Sequence, residues 1–331
     1  MTITLYAGLA GDTDPGRFMS SGLLRSRDGG AWERIETGFP NVPQTFALLA
    51  DPRRPGEVFA ATQDGIFRSA DHGDSWTQLD APKPECAVWS LTRHPNEPDT
   101  LFAGYEPTAI FKSTDNGHTW HNLDVSVDYP AITAGMPRRI TRIAVDPTDP
   151  DRLYASIEIG GLIMSDDGGR NWRQALDGLY VVEDAVDLHS VLVDGEGKVS
   201  VTTRVGAFQS SDNGRRWSKL PVPALREKGS YCRVLGQGPA DTIYLGAGND
   251  FDGDLGSFFR STDGGASFHR LDFGAPLKST VFAMAVDPTD PKRLVCSDKF
   301  GHVFLSDDAG DSWRAHPLPR GIGHVFSIAI G

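Results

Sequence analysis

Seven aspartates recur in the setting Ser-x-Asp-x-Gly-x-x-Trp, and a carboxylate repeated that often invites a metal or catalytic reading. The copies are SADHGDSW from Ser69, STDNGHTW from Ser113, SDDGGRNW from Ser165, SSDNGRRW from Ser210, STDGGASF from Ser261 and SDDAGDSW from Ser306; SRDGGAW from Ser26 is one residue shorter. Successive serines stand 43, 44, 52, 45, 51 and 45 residues apart. Groups spaced so evenly cannot converge on one centre, so a local role is expected. The aspartate should accept backbone N–H bonds across a turn, as an Asx-turn does. The glycine should supply a backbone angle that a side chain forbids. A second acidic run, NDFDGDLG, carries Asp250, Asp252 and Asp254 at alternate positions, like the start of a calcium loop. It lacks glycine at the sixth position and glutamate at the twelfth, where Leu255 and Ser261 stand, so no cofactor is expected and calcium there is the lesser reading. HExxH, GxSxG, CxxC and phosphate-cradling glycine loops are absent.

A period of 40 to 50 residues marks a repeat architecture. In RITRIAVDPTDPDRLYASIEIGGLIMSDDGGRNWRQA, RITRIAV alternates and is β-branched, DPTDPDR is a tight turn, and RLYASI and GLIMS read as further strands. The box turns the chain into a fourth strand, NWRQA. Four short antiparallel strands per repeat are the blade of a β-propeller. The expected fold is all-β: one seven-bladed propeller domain over residues 1–331. TITLYAG matches a second strand and HVFSIAIG a first, so strand 325–330 should pair beside strand 2–8 and close the ring.

That topology sorts the loops onto two rims. The turns from first to second strand stay short, as in DPRRPGE, HPNEPDT and DPTDPKR. The extra length falls on the other rim, in AGDTDPGRFMSSG, HNLDVSVDYPAITAGMPRR, ALDGLYVVEDAVD and GNDFDGDLGS. Loops that grow on one face of a repeat protein mark its binding face. At the starts of the first strands on that face stand Trp89, Arg138, Arg139, His189, Tyr231, Arg233 and His324; near its turns stand Asp64, Glu106, Glu158, Arg204, Asp250, Asp252 and Lys299. Glu106, Glu158, Asp250, His189 and His324 are the candidate catalytic groups, since paired carboxylates and imidazoles move protons. Trp89, Arg138, Arg139, Arg204, Tyr231, Arg233 and Lys299 are the candidate ligand-binding groups, arginine because its fork matches a carboxylate. Trp89 is the one tryptophan outside the boxes; it either stacks on a ligand ring or packs between blades two and three.

The box pattern resembles the Asp-box, or BNR, repeat of sialidases, xyloglucan-active glycosidases, the sortilin ectodomain and the photosystem II assembly factor. The resemblance covers nearly the whole chain and implies the propeller fold. It carries over no catalytic residue: the Arg-Ile-Pro segment of sialidases is missing, and the xyloglucan-active enzymes place their acids between two propellers. The expected function is that of a hydrolase or lyase on a polar, anionic or sugar-like small molecule in the central funnel. The alternative is a scaffold offering this face, with Phe39, Tyr129, Ile132, Met136, Leu179, Tyr180 and Phe251, to a protein partner.

The bulk numbers narrow the partners. A formal charge of −12 argues against a sequence-independent grip on nucleic acid. Three cysteines do not make a disulfide framework. The start MTITLYAGLAGDTD has neither a basic region nor a long apolar run, and no segment has the length of a membrane span. A monomeric cytoplasmic protein is the expectation.

Overall fold

A computed structural model describes residues 3–11, 21–127, 137–175, 179 and 186–331. Twenty-eight strands among these residues, β1 to β28 in chain order, form seven four-stranded sheets arranged as the blades of a closed propeller. Among the described residues no helix is long and apolar enough to cross a membrane. The tip of the blade-one loop, most of the long links into blades four and five, and with them Tyr129, Ile132, Met136 and Tyr180, lie outside the described residues.

Each blade runs outward from the channel in sequence order, except the first. There β28 (Val325–Ile330) lies innermost and pairs with β1 (Thr4–Leu9), Leu5 opposite Ile330 and Ala7 opposite Ile328. The ring thus closes as expected, one to two residues further along β1. Second strands such as β5 (Val58–Thr62) and β13 (Leu153–Glu158) are buried nearly throughout because neighbouring blades cover both faces. Phe59 and Ile66 of blade two pack on Val88, Leu91 and Tyr105 of blade three, and equivalent clusters fill the other seams. Fourth strands are shorter than the expected NWRQA: β15 is only Arg173–Gln174. They are the exposed outer edge, where a short strand leaves little to template aggregation. In blade seven β25 (Asp290–Asp298) extends into DPTDPKR, which reduces that turn to its first residues.

The box turns are built as the sequence reading required. Ser113 Oγ donates to Asp115 Oδ1 (2.8 Å) and accepts from the Gly117 N–H (2.8 Å). Asp115 accepts from the Thr119 N–H (2.8 Å) and hydroxyl (2.6 Å), and Trp120 Nε1 donates to the Gly117 carbonyl (3.1 Å). Gly117 has φ +87°, where a Cβ would also meet Leu79. In the shortened box, Asp28 instead accepts from the Ile3 N–H (2.9 Å) and so ties the first strand to its blade. The three cysteines are free, and burial pushes the Cys232 thiol up to about 12.

Candidate functional site

The seven innermost strands are β4 (Thr45–Ala50), β8 (Ala87–Arg93), β12 (Arg139–Val145), β16 (Leu188–Val193), β20 (Tyr231–Gln237), β24 (Val281–Asp287) and β28. Each slips register by one residue near the upper rim, the face that carries the long loops. A bulge leaves one residue unpaired and re-aims its side chain. Here the extra residues are Phe46, Trp89, Thr141, His189, Arg233, Phe282 and Phe326, one per blade, and all seven line a channel cavity of about 80 Å³.

The ring is uneven. Phe282, Phe326, Phe46 and Trp89 form a continuous aromatic arc across blades seven, one, two and three, with Phe46 and Trp89 stacked at 4.0 Å. Thr141, His189 and Arg233 of blades four, five and six make the polar arc. Over that arc the second strands and the rim bring their charges together. Arg139 Nε lies 2.7 Å from Glu158 Oε2 and 3.3 Å from Glu106 Oε2. Arg233 Nη1 is 3.9 Å from Glu158 Oε1, and its guanidinium lies over the Phe282 ring at 4.7 Å. Asp187 Oδ2 stands 3.7 Å from His189 Nε2 and 3.8 Å from Arg204 Nε. Burial works to raise the Asp187 carboxyl, but the nearness of His189, Arg233 and Arg204 outweighs it and holds the group below the usual carboxylate range.

His189 is the most constrained member. Its side chain is fully buried, and Nδ1 lies 2.7 Å from the Cys232 carbonyl. A carbonyl can only accept, so Nδ1 carries the proton and Nε2 is the nitrogen left to other partners. Among the described residues, that Nε2, like Trp89 Nε1 and Arg233 Nη1, is buried without a hydrogen-bond partner. Tyr231 packs on the imidazole at 4.6 Å, and burial pushes its phenol well above the ordinary range.

Eight of the expected residues therefore share one locus: Glu106, Glu158, His189, Trp89, Arg139, Arg204, Tyr231 and Arg233. Lys299 borders it, with Nζ 5.6 Å from the Phe282 ring and 3.7 Å from Phe251, and paired with Asp252. The others stand apart. Asp250 pairs with Arg226 (3.2 Å), and His324 packs against Gly11, where a Cβ would meet its ring. Arg138 lies over the Gly160 turn, and Asp64 accepts from Gln63 (2.7 Å) and Asn41 (3.2 Å). Asp254 accepts from Asn249 (2.9 Å), so Asp250, Asp252 and Asp254 face three separate partners. Trp89 is covered by Phe46 on one face and by the Arg139 guanidinium, 4.1 Å from the ring, on the other; a ligand could meet only its edge. Sequence reasoning missed Asp187, which stands just before β16, and the bulge residues Phe46, Thr141, Phe282 and Phe326.

With the geometry defined, comparison with known proteins supports the Asp-box propeller reading and assigns no subfamily. The Sortilin-Vps10 family model (sortilin, neurotensin receptor 3) matches residues 64–159. The chain is 23% identical over 322 residues to the oligoxyloglucan-reducing end-specific xyloglucanase of Emericella nidulans, covering 81% of this chain and 39% of that protein. It superposes on the GH74 xyloglucanase of Xanthomonas campestris with TM-score 0.63 and 21% identity, covering 82% of this chain and 45% of that one. For YCF48 from Cyanidioschyzon merolae the TM-score is 0.59 at 16% identity, covering 89% and 90%. A structure of YCF48 bound to a D1 peptide gives TM-score 0.55 at 13% identity, covering 84% and 83%. The chain thus spans less than half the length of the xyloglucanases it matches, and at these identities the structural likenesses show the fold.

Proposed function

We propose that the upper funnel binds a small anionic or sugar-like molecule and that the protein is a hydrolase or lyase acting on it. The observation that carries this reading is the meeting of Arg139, Arg204 and Arg233 with Glu106, Glu158 and Asp187 around one imidazole of fixed tautomer. Arg233, with an unsatisfied buried nitrogen, suits a ligand carboxylate. His189 Nε2 suits a proton acceptor, oriented by the Cys232 carbonyl. Glu106 and Glu158, held by Arg139, flank the space where the reacting bond would lie. The xyloglucanase relative favours a carbohydrate-like ligand.

The peptide held by YCF48 supports the other reading, a docking face. Among the described residues, Val42 and Phe251 are the exposed large hydrophobics, and a docking face needs a broader apolar centre. The convergence of Arg139, Arg233, Glu106 and Glu158 favours the small-molecule reading.

A thermal-shift screen against uronic acids, sialic acids and neutral oligosaccharides tests it, since a ligand of the native state raises the midpoint by mass action. We expect an acidic sugar to raise it and Arg233→Lys or Glu158→Gln to abolish the rise. A full panel without a shift, or a shift that both variants retain, would overturn the assignment.

A further inference from the structure

We infer that Glu158, Asp187 and His189 form a binding site for one divalent transition-metal ion of the zinc or manganese class. One ligand atom from each lies within 4.8 Å of the other two. Two carboxylates and an imidazole are a donor set for such ions; the imidazole disfavours calcium and magnesium, which prefer all-oxygen sites. Three protein donors also leave a coordination position open, as catalytic sites do.

Proximity of acids alone would not carry this, but His189 adds an independent observation. Its side chain is fully buried, its Nδ1–H is committed to the Cys232 carbonyl, and its Nε2 has no hydrogen-bond partner and faces Asp187. An imidazole whose far nitrogen donates to a carbonyl presents a lone pair at the near one, as metal-ligating histidines do. Around a tetrahedral ion with bonds of ~2.1 Å, donors sit roughly 3.4 Å apart. The His189 Nε2 to Asp187 Oδ2 distance of 3.7 Å is already close to that, and a Glu158 oxygen lies within 4.8 Å of both.

The neighbouring arginines do not forbid the ion. Arg139 holds Glu158 by Oε2 at 2.7 Å, whereas Oε1 has only Arg233 at 3.9 Å and stays available. Asp187 Oδ1 accepts from the Ile159 N–H at 3.3 Å, which turns Oδ2 toward His189. Three arginines balance three acids, so a dication entering from the upper rim meets no net positive field, and the arginines would then attract an anion to its open position.

This inference stands whether or not the funnel is catalytic, because the metal alone is the probe. The protein is stripped with chelator and dialysed against Zn²⁺ or Mn²⁺, and bound metal is counted by mass spectrometry and titrated by calorimetry. We expect one equivalent of at least one of the two ions. Asp187→Asn and His189→Gln should each weaken it by more than about a hundredfold, beyond the ten- to hundredfold typical of residues that merely support a ligand. Asp254→Asn, in the separate acidic loop, should leave it unchanged. Circular dichroism and melting confirm that the variants fold; should Asp187→Asn not fold, Glu158→Gln replaces it. Less than about half an equivalent of either ion, or equal affinity in the folded variants, would overturn the site. Failure of metal binding together with an organic-anion shift that persists in chelator would remove the metal and leave the small-molecule reading intact.

Discussion

The two rims of the propeller each repeat a device around the ring, and they use it in opposite ways. On the box rim the residues repeat with the geometry: serine, aspartate and glycine make the same bonds in six of the seven blades, and in five of them the tryptophan Nε1 donates to the glycine carbonyl. On the upper rim the backbone bulge repeats, but its residue changes from Phe to Trp, Thr, His and Arg. The difference follows from where each side chain points. A box aspartate satisfies the N–H groups of its own turn, so any replacement leaves those donors without a partner. A bulge residue points into a channel shared by seven blades, so only the sum of the seven must fit. Identity is fixed where the partner is the residue's own backbone, and chemistry collects where it is not.

The largest expected effect tests that division directly. Glu158→Gln keeps shape and size but removes a charged acceptor for ligand hydroxyls, so it should weaken binding of a sugar-like ligand by at least about a hundredfold, roughly 2.7 kcal/mol, while the unliganded melting temperature moves little. Ligand-dependent and ligand-free melts of the same sample measure both. An equal fall in both would make Glu158 a structural residue and erase the contrast.

Asp115→Ala should do the reverse. It removes a carboxylate that accepts from Thr119 twice and from Ser113, in a half-buried turn. Hydrogen bonds to charged groups contribute about 1.5–3 kcal/mol each in favourable settings, and solvent screening reduces that, so a total loss of about 2 kcal/mol is expected. Ligand binding per folded molecule should not change. Denaturant melts with and without ligand check this, and a selective loss of binding would give the boxes a functional role.

The same carboxylates set an acid limit. Bonds from the side chain and then the backbone N–H of the residue four positions on hold Asp115, Asp167, Asp263 and Asp308 at about 2, against an ordinary 3.8. A lowered folded-state value means that the unfolded chain binds more protons in this window. The stabilisation is therefore complete above about pH 4 and is lost as pH falls toward 2. Melting temperature measured from pH 5 to 2 should drop steeply below 4, and less steeply in Asp115→Ala. Parallel curves for the two proteins would contradict the assignment.

The box rim was legible in the sequence because its function is local: spacing, residue type and role coincide within eight letters. The blade count and ring closure followed from the same repeats. The upper site was half legible. Topology placed Glu106, Glu158, His189, Arg139 and Arg233 on the right rim, but a strict two-residue alternation cannot show a bulge. The signal was present in the aligned first strands TFALLAD, VWSLTRH, ITRIAVD, LHSVLVD, CRVLGQG, VFAMAVD and VFSIAIG, where the second letter alone ranges over F, W, T, H and R. Asp187 carried no such signal. It stands just before β16, and only the fold brings it to His189 and Arg204.

The smallest expected effect concerns the aromatic arc. Phe326 packs on Phe282 at 5.4 Å and on Trp89 at 6.2 Å, and the Arg233 guanidinium lies 5.7 Å from its ring. If the arc only plugs the channel, Phe326→Leu should cost about 1 kcal/mol, as hydrophobic swaps of similar volume do, and leave the ligand response as it was. If the ring face instead steers Arg233 toward the ligand, the cost to folding stays small but binding weakens severalfold, because a cation over an aromatic face is held by about 0.5–2 kcal/mol. Ligand titrations of Phe326→Leu beside Phe46→Leu separate the two. Phe46 stacks on Trp89 and lies on the far side of the arc from Arg233, so a loss confined to Phe326→Leu would extend the site one blade into the aromatic half.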